Sequence, residues 1–157
     1  MMKETAFAVA LPVAVLSLGL SLGQPGEALA AAEPKKAATA KAAMKEKVVF
    51  QISDADPKKW NLALNNAKNV QADLGKDRTD IEIVVYGHGI GMLKADSEVG
   101  NRIEDALGAG VQVVACENTM NAQKLTRGDM LNGIGYVKAG VVELMMKQKQ
   151  GYAYIRP

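Results

Sequence analysis

Cys116 is the only cysteine among the 157 residues. It stands where an apolar run, Val111-Gln112-Val113-Val114-Ala115, gives way to a helix-starting stretch, Glu117-Asn118-Thr119-Met120. A thiol between a strand end and a helix start faces unpaired backbone N–H groups, whose partial positive charge favours the thiolate. A reactive sulfur nucleophile is one outcome of that placement; a buried cysteine serving as a small apolar residue is the other. Asn118 and Thr119 are capping residue types and would hold the helix start against the sulfur. His88, the only histidine, lies in Gly87-His88-Gly89-Ile90-Gly91. There it is either an acid–base group near the thiol or a solvated turn residue. Ser53 and Asp54 follow an early apolar run and read either as a turn cap or as polar site residues.

Several chemistries are excluded or left without support. No second cysteine is present, so the dithiol chemistry of a Cys-x-x-Cys motif is absent. The glycine loop around His88 does not follow the first strand and lacks the later glycine of a dinucleotide fingerprint. No Ser/His/Asp set stands at a spacing that suggests hydrolysis. Cys116 and Met120, four residues apart, would offer soft ligands to Cu(I) with His88 as the sole third partner; no metal site is assigned on that basis, and no cofactor is expected.

The elements that must position these residues alternate. Val48 to Ile52 is a short apolar run of the kind that forms a strand covered on both faces. Asp56-Pro57 then opens a helix, whose buried stripe is Trp60, Ala63, Leu64, Ala67, Val70 and Leu74, with Gly75 as its stop. Ile81 to Tyr86 is a second strand, and Asp96 or Ser97 caps a second helix carrying Val99, Ile103, Ala106 and Leu107. After the strand ending at Cys116 come a short helix over 118–125, a brief strand at Tyr136-Val137, a helix over 141–150 and a last strand over 152–155. This pattern predicts an α/β fold: a flavodoxin-like three-layer α/β/α arrangement with a five-stranded, mainly parallel sheet. With the strand order 2-1-3-4-5, Cys116 would stand at the switch point where ligands bind.

The start of the chain is different material. Thr5 to Gly23 is almost wholly apolar, and Ala28-Leu29-Ala30-Ala31-Ala32 supplies small residues at Ala-x-Ala spacing. Residues 1–30 are therefore expected to be a signal peptide, cleaved after Ala30 or Ala32, which makes the protein periplasmic or otherwise exported with no stable membrane span after cleavage. Residues 31–46 read as a flexible Ala/Lys-rich tether, and residues 47–157 as one folded domain. Basic and acidic side chains nearly balance in that domain, so it carries no footprint for nucleic acid.

Residues 47–157 resemble the DsrE/DsrF-like family, specifically its small single-domain members with a sulfur-relay role. The resemblance rests on Val48-Val49-Phe50-Gln51-Ile52-Ser53 with Trp60-Asn61-Leu62-Ala63-Leu64-Asn65-Asn66; on Gly87-His88-Gly89-Ile90-Gly91-Met92-Leu93; on Ala115-Cys116-Glu117-Asn118-Thr119-Met120; and on Gly151-Tyr152-Ala153-Tyr154-Ile155-Arg156-Pro157. It implies a flavodoxin-like sheet, a homo-oligomer, and a cysteine, matched by Cys116, that carries sulfane sulfur as a persulfide. The partners implied are a sulfur donor or acceptor protein or a small sulfur compound. Two departures stand out: the glycine loop carries His88 where Gly-Pro-Gly is expected, and relay members commonly act in the cytoplasm. The alternative reading is a non-catalytic small-ligand-binding or oligomeric assembly module with a buried cysteine.

Overall fold

A computed structural model describes residues 44–157. The expected signal peptide and all but the last three residues of the expected tether lie outside the described residues. The domain begins at Glu46, in the order β1 (Glu46–Ile52), α1 (Pro57–Leu74), β2 (Thr79–Val85), α2 (Gly100–Gly108), β3 (Gln112–Cys116), α3 (Glu117–Ala122), β4 (Gly135–Val137), α4 (Gly140–Lys149) and β5 (Ala153–Ile155). Short 3-10 segments at Lys76–Arg78, Gly87–Leu93 and Arg127–Asp129 fill the connections.

All five strands are parallel, as the βα alternation requires. Their order is β4-β3-β2-β1-β5, not 2-1-3-4-5. The chain steps outward from β1 through β2 and β3 to β4, then returns to the other side of β1. One constant crossover hand sends the helix of a return step to the opposite face. Alternation along the strands shows the two faces. Phe50, Ile83, Val113 and Ala115 pack with Trp60 and Leu64 of α1 and Ile103 of α2, whereas Val49, Val84 and Val114 pack with Leu144 of α4. The reversal therefore falls between β1 and β5. Cys116 lies two strands away from it, although the carboxyl ends of β1, β2 and β3 remain neighbours.

Local chemistry explains the elements. Asp56 caps α1, accepting from the Lys58 N–H at 2.9 Å with Pro57 behind it, and Gly75 ends the helix at φ 91°. The expected cap of α2 at Asp96 or Ser97 is corrected to Val99, which makes no side-chain cap bond. The segment before it is pinned elsewhere, by Leu131 N–H to the Leu93 carbonyl and Ala95 N–H to the Asp129 carbonyl, both at 2.9 Å. The chain must turn out of that bridge before a helix can start.

Gly89 lies against β1: a Cβ there would stand 2.8 Å from the Ile52 carbonyl oxygen. Its N–H bonds the Ser53 and Tyr86 carbonyls at 3.1 Å each. The neighbour is backbone and cannot swing aside. Gly89→Ala is accordingly expected to cost about 1–3 kcal/mol in urea unfolding; a cost under about 0.5 kcal/mol would mean that the loop is not seated on β1.

The α4 face also buries charge. Glu82 of β2 pairs with Lys147 of α4 at 2.6 Å, and Lys147 lies 4.8 Å from the Tyr152 ring centre. Tyr152 donates to Asp80 at 2.6 Å; burial, with that bond, pushes its phenol up to about 12.

Candidate functional site

Cys116 ends β3 and is also the residue from which α3 starts. Val113 and Ala115 point to the α1–α2 side, so the next alternation turns Cys116 toward α4. Pairing of Cys116 with Val137 of β4 brings the following turn, Lys138-Ala139-Gly140, over the sulfur. The thiol lies 3.9 Å from the Lys138 carbonyl, the distance of a weak S–H hydrogen bond. The same carbonyl accepts from the Asn118 N–H at 3.1 Å. Two helix starts, of α3 and α4, therefore converge on one sulfur atom.

That convergence sets its acidity. Burial pushes the Cys116 thiol up, but the Gly140 N–H, the Thr119 hydroxyl and the N–H groups of Thr119 and Asn118 favour the anion, and the net is a pKa below that of an ordinary thiol. Thr119 is well placed for this, because its oxygen accepts from the Gly87 N–H at 3.0 Å. With a lone pair so engaged, its proton is available to the sulfur. Glu117, the next residue in the chain, is held by Arg127 at 2.9 Å. Cys116 itself is only 5% exposed. A surface cavity of about 340 Å³ is lined by Asn118, Val137, Lys138, Ala139, Val142 and Glu143, from the starts of the two helices and the turn between β4 and α4.

The other sequence candidates divide. Thr119 meets the sulfur through its hydroxyl and N–H and Asn118 through its N–H alone; the expected capping is corrected, since α3 starts from Cys116 with no side-chain cap bond. Ser53 and Asp54 stand at the carboxyl end of β1, joined to Arg156, whose Nη2 lies 3.4 Å from Ser53 Oγ and from Asp54 Oδ2. Lys59 pairs with Asp54 at 3.1 Å and, more than Arg156, holds its carboxyl below the usual range against a smaller opposing effect of burial. His88 is exposed and makes no hydrogen bond among the described residues. Its flanking glycines are used by the protein's own backbone, Gly89 on β1 and Gly87 on Thr119. Met120 is buried in the cluster on the α1–α2 side, away from the face that carries the sulfur. Among the described residues no group of three or more His, Cys, Asp or Glu side chains is arranged to hold a metal ion, and no helix is long and apolar enough to cross a membrane.

Three residues of this region escape sequence reasoning. Gly140 supplies an N–H to the sulfur and must stay small, since a Cβ would come within 3.1 Å of the Tyr86 ring. Tyr86 follows Val84 in the alternation of β2 and so faces α4 beside Cys116. Arg156 reaches in from beyond β5. Tyr86 had a readable signal, its even spacing from Glu82 and Val84; Gly140 and Arg156 depend on strand pairing and had none.

Residues 23–157 match the DsrE/DsrF-like family. The solved structure of a protein of unknown function, MTH1491 from Methanobacterium thermoautotrophicum, is 36% identical, covering 72% of this chain and all of that one, with a TM-score of 0.69. BT1422 from Bacteroides thetaiotaomicron shares the fold at 19% identity, covering 71% of this chain and 95% of that one, with a TM-score of 0.58. The ychN protein of E. coli does so at 13% identity, covering 71% of this chain and 99% of that one, with a TM-score of 0.58. No curated protein matches the chain.

Proposed function

The chain belongs to the DsrE/DsrF-like family of sulfur-relay-like proteins, and from that premise we propose that Cys116 accepts sulfane sulfur as a persulfide and passes it on, in an exported protein. The observation that carries this reading is the convergence of two helix starts and the Thr119 hydroxyl on one sulfur. Loading needs no external oxidant. The thiolate attacks the outer sulfur of a donor persulfide, a new S–S bond forms, and the donor's own S–S bond breaks. The donor leaves as a thiolate holding the bonding pair. In the second half an acceptor thiolate attacks the outer sulfur and Cys116 leaves as thiolate. The test is the intact mass of the mature protein after exposure to polysulfide, with Cys116→Ser as control.

A second reading, a binding or assembly module with an inert cysteine, is favoured by the 5% exposure of Cys116. It requires that iodoacetamide label the thiol only after unfolding, and rapid labelling of the folded protein would exclude it.

Self-association fits either reading. Val141, Val142, Met145 and Met146 form a half-exposed apolar stripe on α4, larger in sum than a lone surface residue would explain. Light scattering is expected to give a homo-oligomer, and Val142→Lys with Met145→Lys a smaller species. A monomeric parent protein would contradict this.

A further inference from the structure

A second set of polar side chains shares the sulfur's row. Val85 is paired with Ala115 and with Ile52, so the next residues, Cys116, Tyr86 and Ser53, lie side by side across three strands. The Tyr86 N–H carries the ladder one step further, bonding the Ile52 carbonyl at 3.0 Å. Beyond Ser53 comes the Arg156 guanidinium. It contacts Ser53 and Asp54 through Nη2 alone among the described residues, at 3.4 Å each, and its side chain is 51% exposed. Such long single-nitrogen contacts leave most of its planar fork for another acceptor. Gln51 braces the group: its Nε2 donates to Ser53 Oγ at 3.2 Å, and its Oε1 accepts from the Tyr154 hydroxyl.

This group stands at the switch point. β1 has β2 on one side and β5 on the other, and ligands of open α/β sheets bind outside the strand ends where the order reverses. The separation then selects the ligand. Neighbouring strands are about 4.8 Å apart, so Ser53 and Cys116 stand roughly 10 Å from each other. A compact inorganic sulfur anion would not reach from the guanidinium to the sulfur. An organic persulfide with a carboxylate several bonds from its sulfur would.

We propose that the small-molecule sulfur donor is a carboxylate-bearing organic persulfide, its carboxylate held by Arg156 and Ser53, its outer sulfur at Cys116 and its leaving sulfur beside the Tyr86 hydroxyl. The proposal rests on the persulfide reading of Cys116. When the new Sγ–S bond forms, the organic thiolate departs with the electron pair and is protonated by water. The Tyr86 hydroxyl donates a hydrogen bond to it as charge develops. Burial raises the Tyr86 pKa above its ordinary value, which keeps the phenol protonated at neutral pH.

The test compares N-acetylcysteine persulfide with its methyl ester on the mature protein, following the gain of one sulfur atom by intact mass, with inorganic polysulfide as a third donor. The acid is expected to load Cys116 about tenfold faster than the ester, the size of one charge-assisted contact. Arg156→Gln should collapse that ratio to about one, and Arg156→Lys should retain part of it. Equal rates for acid and ester on the parent protein would overturn the proposal, as would a ratio that survives Arg156→Gln. Loading by polysulfide but by neither organic donor would overturn it while leaving the persulfide reading intact. Loading by no donor would remove the persulfide reading, and this proposal with it.

Discussion

Thr119→Val is expected to slow iodoacetamide labelling of Cys116 about tenfold near neutral pH. Valine keeps the shape of threonine but removes a hydroxyl that favours the thiolate. A hydrogen bond to a charged group contributes about 1.5–3 kcal/mol, and about 1.4 kcal/mol is a factor of ten in the thiolate fraction. The variant also leaves the Gly87 N–H, which donates to Thr119 at 3.0 Å, without its acceptor, a cost to folding stability and not to the acidity of the thiol. A thiol whose pKa is held down is a thiolate at lower pH, so removing the cause moves the labelling profile toward alkaline pH. At high pH, where both proteins are fully ionised, the rates should converge. Thr119→Ser keeps the hydroxyl and should restore most of the rate. Unchanged labelling in Thr119→Val across the profile would mean that backbone N–H groups alone set the acidity of Cys116.

Lys147→Met is expected to cost about 3–5 kcal/mol in urea unfolding, because it leaves a buried carboxylate without its partner. The side chain of Glu82 is 3% exposed and that of Lys147 12% exposed, at 2.6 Å from each other. Glu82 Oε1 is buried without a hydrogen-bond partner, so Oε2 and Lys147 carry the whole compensation. Burial pushes the Glu82 carboxyl above its ordinary pKa, and Lys147 pulls against that. Without the ammonium the folded pKa rises further above the unfolded one. The folded state then holds a proton that the unfolded chain has released, and stability falls as pH rises through that window. The deficit of the variant should therefore be larger at about pH 7.5 than at about pH 5. Glu82→Met combined with Lys147→Met should recover most of the loss, since no charge is then stranded. A deficit within about 1 kcal/mol at the higher pH would mean that water reaches the pair.

The parts of this molecule readable in sequence are those fixed by local chemistry. The apolar runs at Val48–Ile52 and Val111–Ala115, the Asp56-Pro57 cap and the Gly75 stop specify their elements within a few residues, because each acts on its own backbone. Cys116 at a strand end beside Asn118 and Thr119 is legible for the same reason. Long-range pairing is not. Nothing in the spacing of β1 to β5 distinguishes 2-1-3-4-5 from β4-β3-β2-β1-β5, since both orders keep every connection parallel and right-handed. The cap of α2 is not legible at Asp96 or Ser97, because a bridge to residues 129–131 outweighs their preference for a helix start. The Lys138–Gly140 turn is 22 to 24 residues from Cys116 in sequence, and only the pairing of β4 with β3 brings it to the sulfur. Arg156 meets Ser53 only because β5 lies beside β1.

The persulfide proposal stands or falls with whether Cys116 carries sulfur or is an inert core residue. Its most direct test is the intact mass of the folded protein, prepared without reductant, before and after exposure to polysulfide. A sulfur carrier gains one sulfur atom that a small thiol removes and that Cys116→Ser never acquires. A folded protein that gains no sulfur, with Cys116 unreactive until the chain is unfolded, would contradict it.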